Sequence, residues 1–164
     1  MVIFMNNTAK DKYLRPSIRA LERRVGFKGD PDHTAELIRP KTALSTCGRG
    51  AYELLKWDPS KLDLYVYVDD IRKVASEITQ NGCKKGDTAS IYLMQKEEEL
   101  KNPFERVYMD CIAKGGRDLI AAAYLEIHFP KKIGNPLLSR EFVKEVRETS
   151  PKVISLSDLI CDVF

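Results

Sequence analysis

Two stretches of this sequence carry residue types that can act as nucleophiles or bases. In Ser45-Thr46-Cys47-Gly48-Arg49-Gly50 a cysteine stands just ahead of a helical pattern and beside an arginine. The plain reading of the segment is a structural turn; the chemical alternative is that a thiol at a helix N-terminus next to a cation can have a depressed pKa and become reactive. Glycines in that place can also cradle a phosphate on free backbone N–H groups, with Arg49 as a further anion contact. The segment lacks the P-loop pattern, and position 53 is Glu53 where a cysteine-phosphatase loop needs arginine. Only two histidines exist, His33 and His128, so any histidine-assisted nucleophile must use one of them. With 118–129 read as a strand, Tyr124, Glu126 and His128 share one face and can line a cleft. Cys47, Cys83, Cys111 and Cys161 are 36, 28 and 50 residues apart, without a C-x-x-C pair. That spacing offers no zinc or redox centre, and no metal or cofactor is expected.

Tyr67-Val68-Asp69-Asp70, led in by Leu64-Tyr65-Val66, resembles the Y-x-D-D metal-binding turn of reverse transcriptases. That resemblance implies divalent ions held by the two aspartates and by a third carboxylate on an earlier strand. Here no earlier strand ending in Asp precedes the motif, and a helical pattern follows it. The aspartates are therefore read as helix caps.

The basic residues gather toward one end. Residues 1–57 carry 11 Lys+Arg against 6 Asp+Glu, whereas the rest of the chain carries 16 against 18. Arg15, Arg19, Arg23, Arg24, Lys28, Arg39, Lys41 and Arg49 all lie in that first third, and Lys84 and Lys85 lie in an expected loop. Arginine donates to phosphate from a planar, multidentate group. If the fold brings these cations to one side, they form an electrostatic footprint for an anionic partner. Tyr13 and Phe27 flank the cluster.

The elements that must position these groups follow from periodicity within bounds set by size. The chain has 164 residues, 43% hydrophobic and 31% charged. That suits one domain able to bury about 70% of its unfolded surface without disulfides or metal. No apolar run approaches the ~18 residues of a membrane span. Scattered cysteines and the absence of a secretory pattern lead us to expect reduced thiols and an intracellular protein, cytoplasmic or nuclear.

A first helix is expected to start at Pro16 and end before Gly26, with Ile18, Leu21 and Val25 inward. A second follows Asp32 as its cap and stops at Pro40. A third spans 51–57. From Leu62 the period changes to two, giving a strand to Val68 with one face on a core. A helix capped by Asp69 or Asp70 follows, with Ile71, Val74, Ala75 and Ile78 inward, and Asn81-Gly82 closes it. A strand spans 88–94. Asn102-Pro103-Phe104-Glu105 starts a helix that ends at Gly115-Gly116. The stretch 118–129 alternates like a long strand, although its alanine run also suits a helix. Ser139 caps a helix over 140–149, and a short terminal element occupies 153–164.

The fold class expected is α+β: a helical N-terminal third packed beside a small antiparallel or mixed sheet with crossing helices, in one domain over 1–164. The leading functional reading is a non-enzymatic binding or structural protein. Its anionic partner would be RNA or a ribonucleoprotein, or an anionic membrane surface as for small viral matrix-type proteins, with self-association left open. The alternatives are a small enzyme using Cys47 or the Glu126/His128 face, and a protein-binding adaptor using Trp57, Tyr65 and Tyr67 as an exposed aromatic patch.

Overall fold

The computed structural model describes residues 3–4, 7–39, 43–97 and 102–149, with side chains from residue 12 onward in the first helix. The elements in chain order are α1 (Asn7–Glu22), β1 (Val25–Lys28), α2 (Pro31–Ile38), β2 (Leu44–Thr46), α3 (Cys47–Leu55), β3 (Leu64–Val68), α4 (Ile71–Gln80), β4 (Lys84–Lys85), β5 (Ile91–Gln95), α5 (Pro103–Lys114), α6 (Asp118–His128) and α7 (Arg140–Glu148). This is an α+β arrangement, with seven helices and a five-stranded mixed sheet among the described residues. The Lys41 position and the segment 153–164 lie outside the described residues.

The strand order is β2-β3-β5-β1-β4. β3 pairs parallel with β5, and every other pair is antiparallel. All five residues of β3 are buried. Leu64, Val66 and Val68 pack with Ala35 and Ile38 of α2 and Val74 and Ile78 of α4. Tyr65 and Tyr67 face the other way, against Leu21 of α1, Cys47 at the start of α3 and Met94 of β5. Helices therefore cover both sheet faces, not the one expected. Strand β3 alternates apolar with tyrosine, and tyrosine rings pack as core when their edges are covered. Outside this layer, α6 packs on α3 and α5, and α7 packs on α6, around Tyr108, Leu125, Phe142 and Val146. Near the start of the chain, Ile3 is buried in that cluster and Phe4 bridges to Leu138.

Local signals hold where they depend on near neighbours. Asp70 accepts from the backbone N–H of Lys73, Asn102 from Glu105, and Ser139 from Phe142. Each places a side-chain oxygen on one of the orphan N–H groups of a first helical turn. Asp70 is thus a cap, and Asp69 pairs with Lys96 at 3.3 Å.

Several expectations change. Pro16 lies inside α1, because burial of Leu14, Ser17 and Leu21 sets that helix; Ile18 is exposed. Val25–Lys28 is a strand and not a helix end, so the N-terminal third supplies β1 and β2 to the sheet. Gly26 serves a close approach there, since a Cβ on it would come within 2.8 Å of the Ala89 Cβ. Residues 118–128 are helix α6, and its buried positions run almost continuously from Asp118 to Glu126. A helix buried on nearly all sides loses its 3.6-residue signature, so its apolar pattern imitates a strand. In addition, α2 is capped by Asp30, with Pro31 at its first position, and Asp32 is released for another task.

Candidate anion-binding face

Helix α1 turns Leu14, Ser17 and Leu21 inward. The spacing of three and four leaves Arg15, Arg19 and Arg23 as an outward row, one turn apart; all three are exposed. Arg23 pairs with Glu97 at 3.4 Å. Arg15 and Arg19 have no carboxylate at ion-pair distance among the described residues.

At the end of α1 the cations meet the sheet. Tyr65 of β3 and Tyr92 of β5 are register partners, and their rings stack with centroids 4.4 Å apart. Arg24 lies over the Tyr92 ring at 5.4 Å, and Lys114 lies over the Tyr65 ring at 5.3 Å. Ring quadrupoles attract such cations and hold them in place. Arg24 also donates from Nη1 to the carbonyl of Leu21 at 2.6 Å, and Lys114 lies 3.5 Å from the Asp118 carboxylate. Both cations sit at helix C-termini, where part of their charge offsets the carbonyl ends. Between them opens a hollow of about 250 Å³, lined by Ile18, Leu21, Glu22, Arg24, Tyr65, Ala113 and Lys114.

The sheet register sorts the remaining cations. Gly26 opposes Tyr92, and Lys28 opposes Lys84 across β1 and β4. Residues alternate along a strand and opposed residues share a face. Lys28 and Lys84 therefore lie on the tyrosine face, beyond Arg24. Lys85 opposes Phe27, whose ring packs with α2 and α4, and belongs to the opposite face. Arg39 follows α2 on that opposite side and pairs with Glu36 at 3.4 Å. Arg49 is only 4% exposed. It donates to the Asp32 carboxylate and, from Nε, to the carbonyl of Leu62 at 3.2 Å. Burial makes Arg49 a tie between α3, α2 and the approach to β3, not an anion contact.

Lys114 and Tyr92 escape sequence reasoning. Lys114 reads as an ordinary cation in the last turn of a helix. The pairing of Tyr92 with Tyr65 requires knowing that β3 and β5 are parallel neighbours.

The other chemical candidates are rearranged. Cys47 begins α3 with φ +58°, but it is fully buried. Its Sγ lies 3.9 Å from the backbone carbonyl of Asp110, to which it donates. Burial, with the Asp110 and Asp118 carboxylates nearby, pushes the Cys47 thiol well up, which goes against the reactive alternative for this segment. The N–H of Gly48 is taken by Asp118 at 3.2 Å. Residues two apart on a helix point to different sides, so α6 separates Glu126 from His128. Glu126 is buried and accepts from the Tyr108 hydroxyl at 2.7 Å and from Arg140. His128 is exposed, with its ring 6.3 Å from both Trp57 and Tyr124. Tyr65 and Tyr67 are buried, which dissolves the expected exposed patch with Trp57.

Among the described residues no group of His, Cys, Asp and Glu can hold a metal ion, and no helix is long and apolar enough to cross a membrane. No protein family, curated protein or solved structure matches the chain.

Proposed function

We propose that the chain is a non-enzymatic binding protein that holds single-stranded RNA, alone or in a ribonucleoprotein, by its phosphates. One observation carries this reading: cations from separate parts of the chain converge on one sheet face. Arg24 and Lys114 flank a hollow, Arg15 and Arg19 run along α1 beside it, and Lys28 and Lys84 extend it to the sheet edge. Concavity favours a flexible strand over a flat headgroup surface, because a strand's phosphate can enter the hollow. The stacked tyrosine faces are already covered by each other and by cations. The reading therefore rests on phosphate contacts, which carry no base information.

The test is a titration of fluorescent homopolymeric RNA at several salt concentrations. Three to five phosphate contacts give a slope of log affinity against log salt of about −2 to −4. Arg15→Gln with Arg19→Gln should flatten that slope by roughly 1.4. Arg39→Gln, on the opposite face, should leave it unchanged. Binding by phosphatidylserine vesicles but not by RNA, or equal loss from Arg39→Gln and the α1 pair, would overturn the reading.

A further inference from the structure

Glu22 is out of place in a site for phosphates. It is the last residue of α1 and lines the hollow between Arg24 and Lys114. A carboxylate there opposes the helix dipole and repels a phosphate. It has no ion-pair partner among the described residues, so pairing within the fold does not account for it. What an ionised carboxylate can do in such a place is accept hydrogen bonds. The strand of a ribonucleic acid brings one donor to every unit that a deoxyribonucleic strand lacks, the sugar 2′-hydroxyl.

The wall beside Glu22 has the complementary character. Ile18 is 39% exposed, one of two large apolar side chains left open among the described residues, and it faces the hollow with Leu21 and Ala113. An apolar wall accepts a sugar and base edge without reading sequence. At about 250 Å³ the hollow lies just below the range of about 300–1,000 Å³ that takes a drug-sized ligand. One nucleotide unit is the anionic building block that combines a phosphate, an apolar ring and hydroxyl donors at that scale.

We infer that the hollow seats one ribonucleotide of the bound strand and that Glu22 discriminates RNA from DNA by accepting from the 2′-hydroxyl. The inference rests on the phosphate-binding reading and adds a sugar-reading residue to it. Arg24 and Lys114 supply attraction common to both nucleic acids, and Glu22 supplies the difference. Because Glu22 also repels phosphate, its removal abolishes the discrimination and leaves in place the attraction that both nucleic acids share.

The experiment compares fluorescent ribo- and deoxyribo-oligomers of uniform sequence and equal length on wild type, Glu22→Gln and Glu22→Ala. Wild type should prefer the ribo-oligomer by about tenfold, the scale of one hydrogen bond to a charged group. Glu22→Ala should bind both oligomers equally and at least as tightly as wild type binds DNA. Glu22→Gln keeps an acceptor and loses the repulsion, so it should bind both more tightly and retain a reduced preference. Glu22 is exposed at a helix end, so neither variant disturbs the core. Equal binding of both oligomers by wild type, or a preference that survives Glu22→Ala, overturns the sugar-reading role while leaving the phosphate face standing. Salt-sensitive binding of neither oligomer overturns the phosphate face and this inference together.

Discussion

Asp32 and Asp110 show how the same side chain acquires opposite behaviour from its surroundings. The hydrogen bond from Arg49 holds the Asp32 carboxyl below its ordinary 3.8. Its stabilising effect is present above that value and is lost as acid protonates it. Asp110 is fully buried, and burial pushes its carboxyl up, although Arg106 at 3.6 Å and the Thr46 hydroxyl at 2.6 Å oppose the shift. Asp118 is raised for the same reason, opposed by Lys114. A raised group binds its proton in the folded chain while the unfolded chain is still ionised. Its contribution is therefore complete below 3.8 and declines as pH rises through the folded value. The melting temperature should rise as pH is lowered from neutral to mildly acidic, and Asp110→Asn should remove part of that rise. An Asp110→Asn melting profile parallel to wild type over that range would contradict the assignment. None of this is visible along the chain, because the carboxylates that surround Cys47 arrive from 63 and 71 positions away.

Among the elements, the β2–α3 junction leaves no room for an added methyl group at Gly50. The strand runs directly into the helix through Cys47 at positive φ. A Cβ on Gly50 would strike the carbonyl oxygen of Ser45, a backbone atom of the adjoining strand. Overpacking of this kind costs about 1–3 kcal/mol. Gly50→Ala should lower the unfolding free energy by that scale, read as a lower urea midpoint at unchanged m. Gly134→Ala should shift it little, because the nearest atom to a Cβ there is 3.9 Å away. Equal effects of the two substitutions would remove the junction's special standing. The elements legible in sequence are those fixed by local chemistry: α4, α5 and α7 each announce themselves by a cap and an apolar stripe. α6 and β1 mislead because tertiary burial overrides their local pattern. α6 lies between α3, α5 and α7, and β1 uses a glycine for strand contact that reads as a helix stop.

For the whole molecule, covering both sheet faces puts the thiols out of reach. Cys47, Cys83 and Cys111 are free and buried, on both sides of the sheet. In the native protein these three should resist alkylation, and in denaturant they should all react, as read by peptide mass mapping without reduction. A native disulfide between any two of them would refute this. The same layering divides the surface charge. α1, the tyrosine pair, Lys28 and Lys84 occupy one side, and α2, α4, Lys85 and Arg39 the other. A charge bias along the sequence thus becomes a bias between two faces.

Composition and periodicity by themselves determined the α+β class, the strand read over 62–68 and found at Leu64–Val68, the capped helices and the excess of cations in residues 1–57. These properties depend on residues three or four positions apart, or on averages over a segment, and a linear reading contains both. The tertiary structure decided which cations share a face. It withdrew Arg49 into a buried ion pair, sent Arg39 and Lys85 to the far face, and added Lys114 from a helix that begins 54 residues after Arg49. The physical reason is that strand order and register set the faces. A parallel pairing of β3 with β5 depends on which surfaces bury best against helices from the whole chain, and no local signal carries that information.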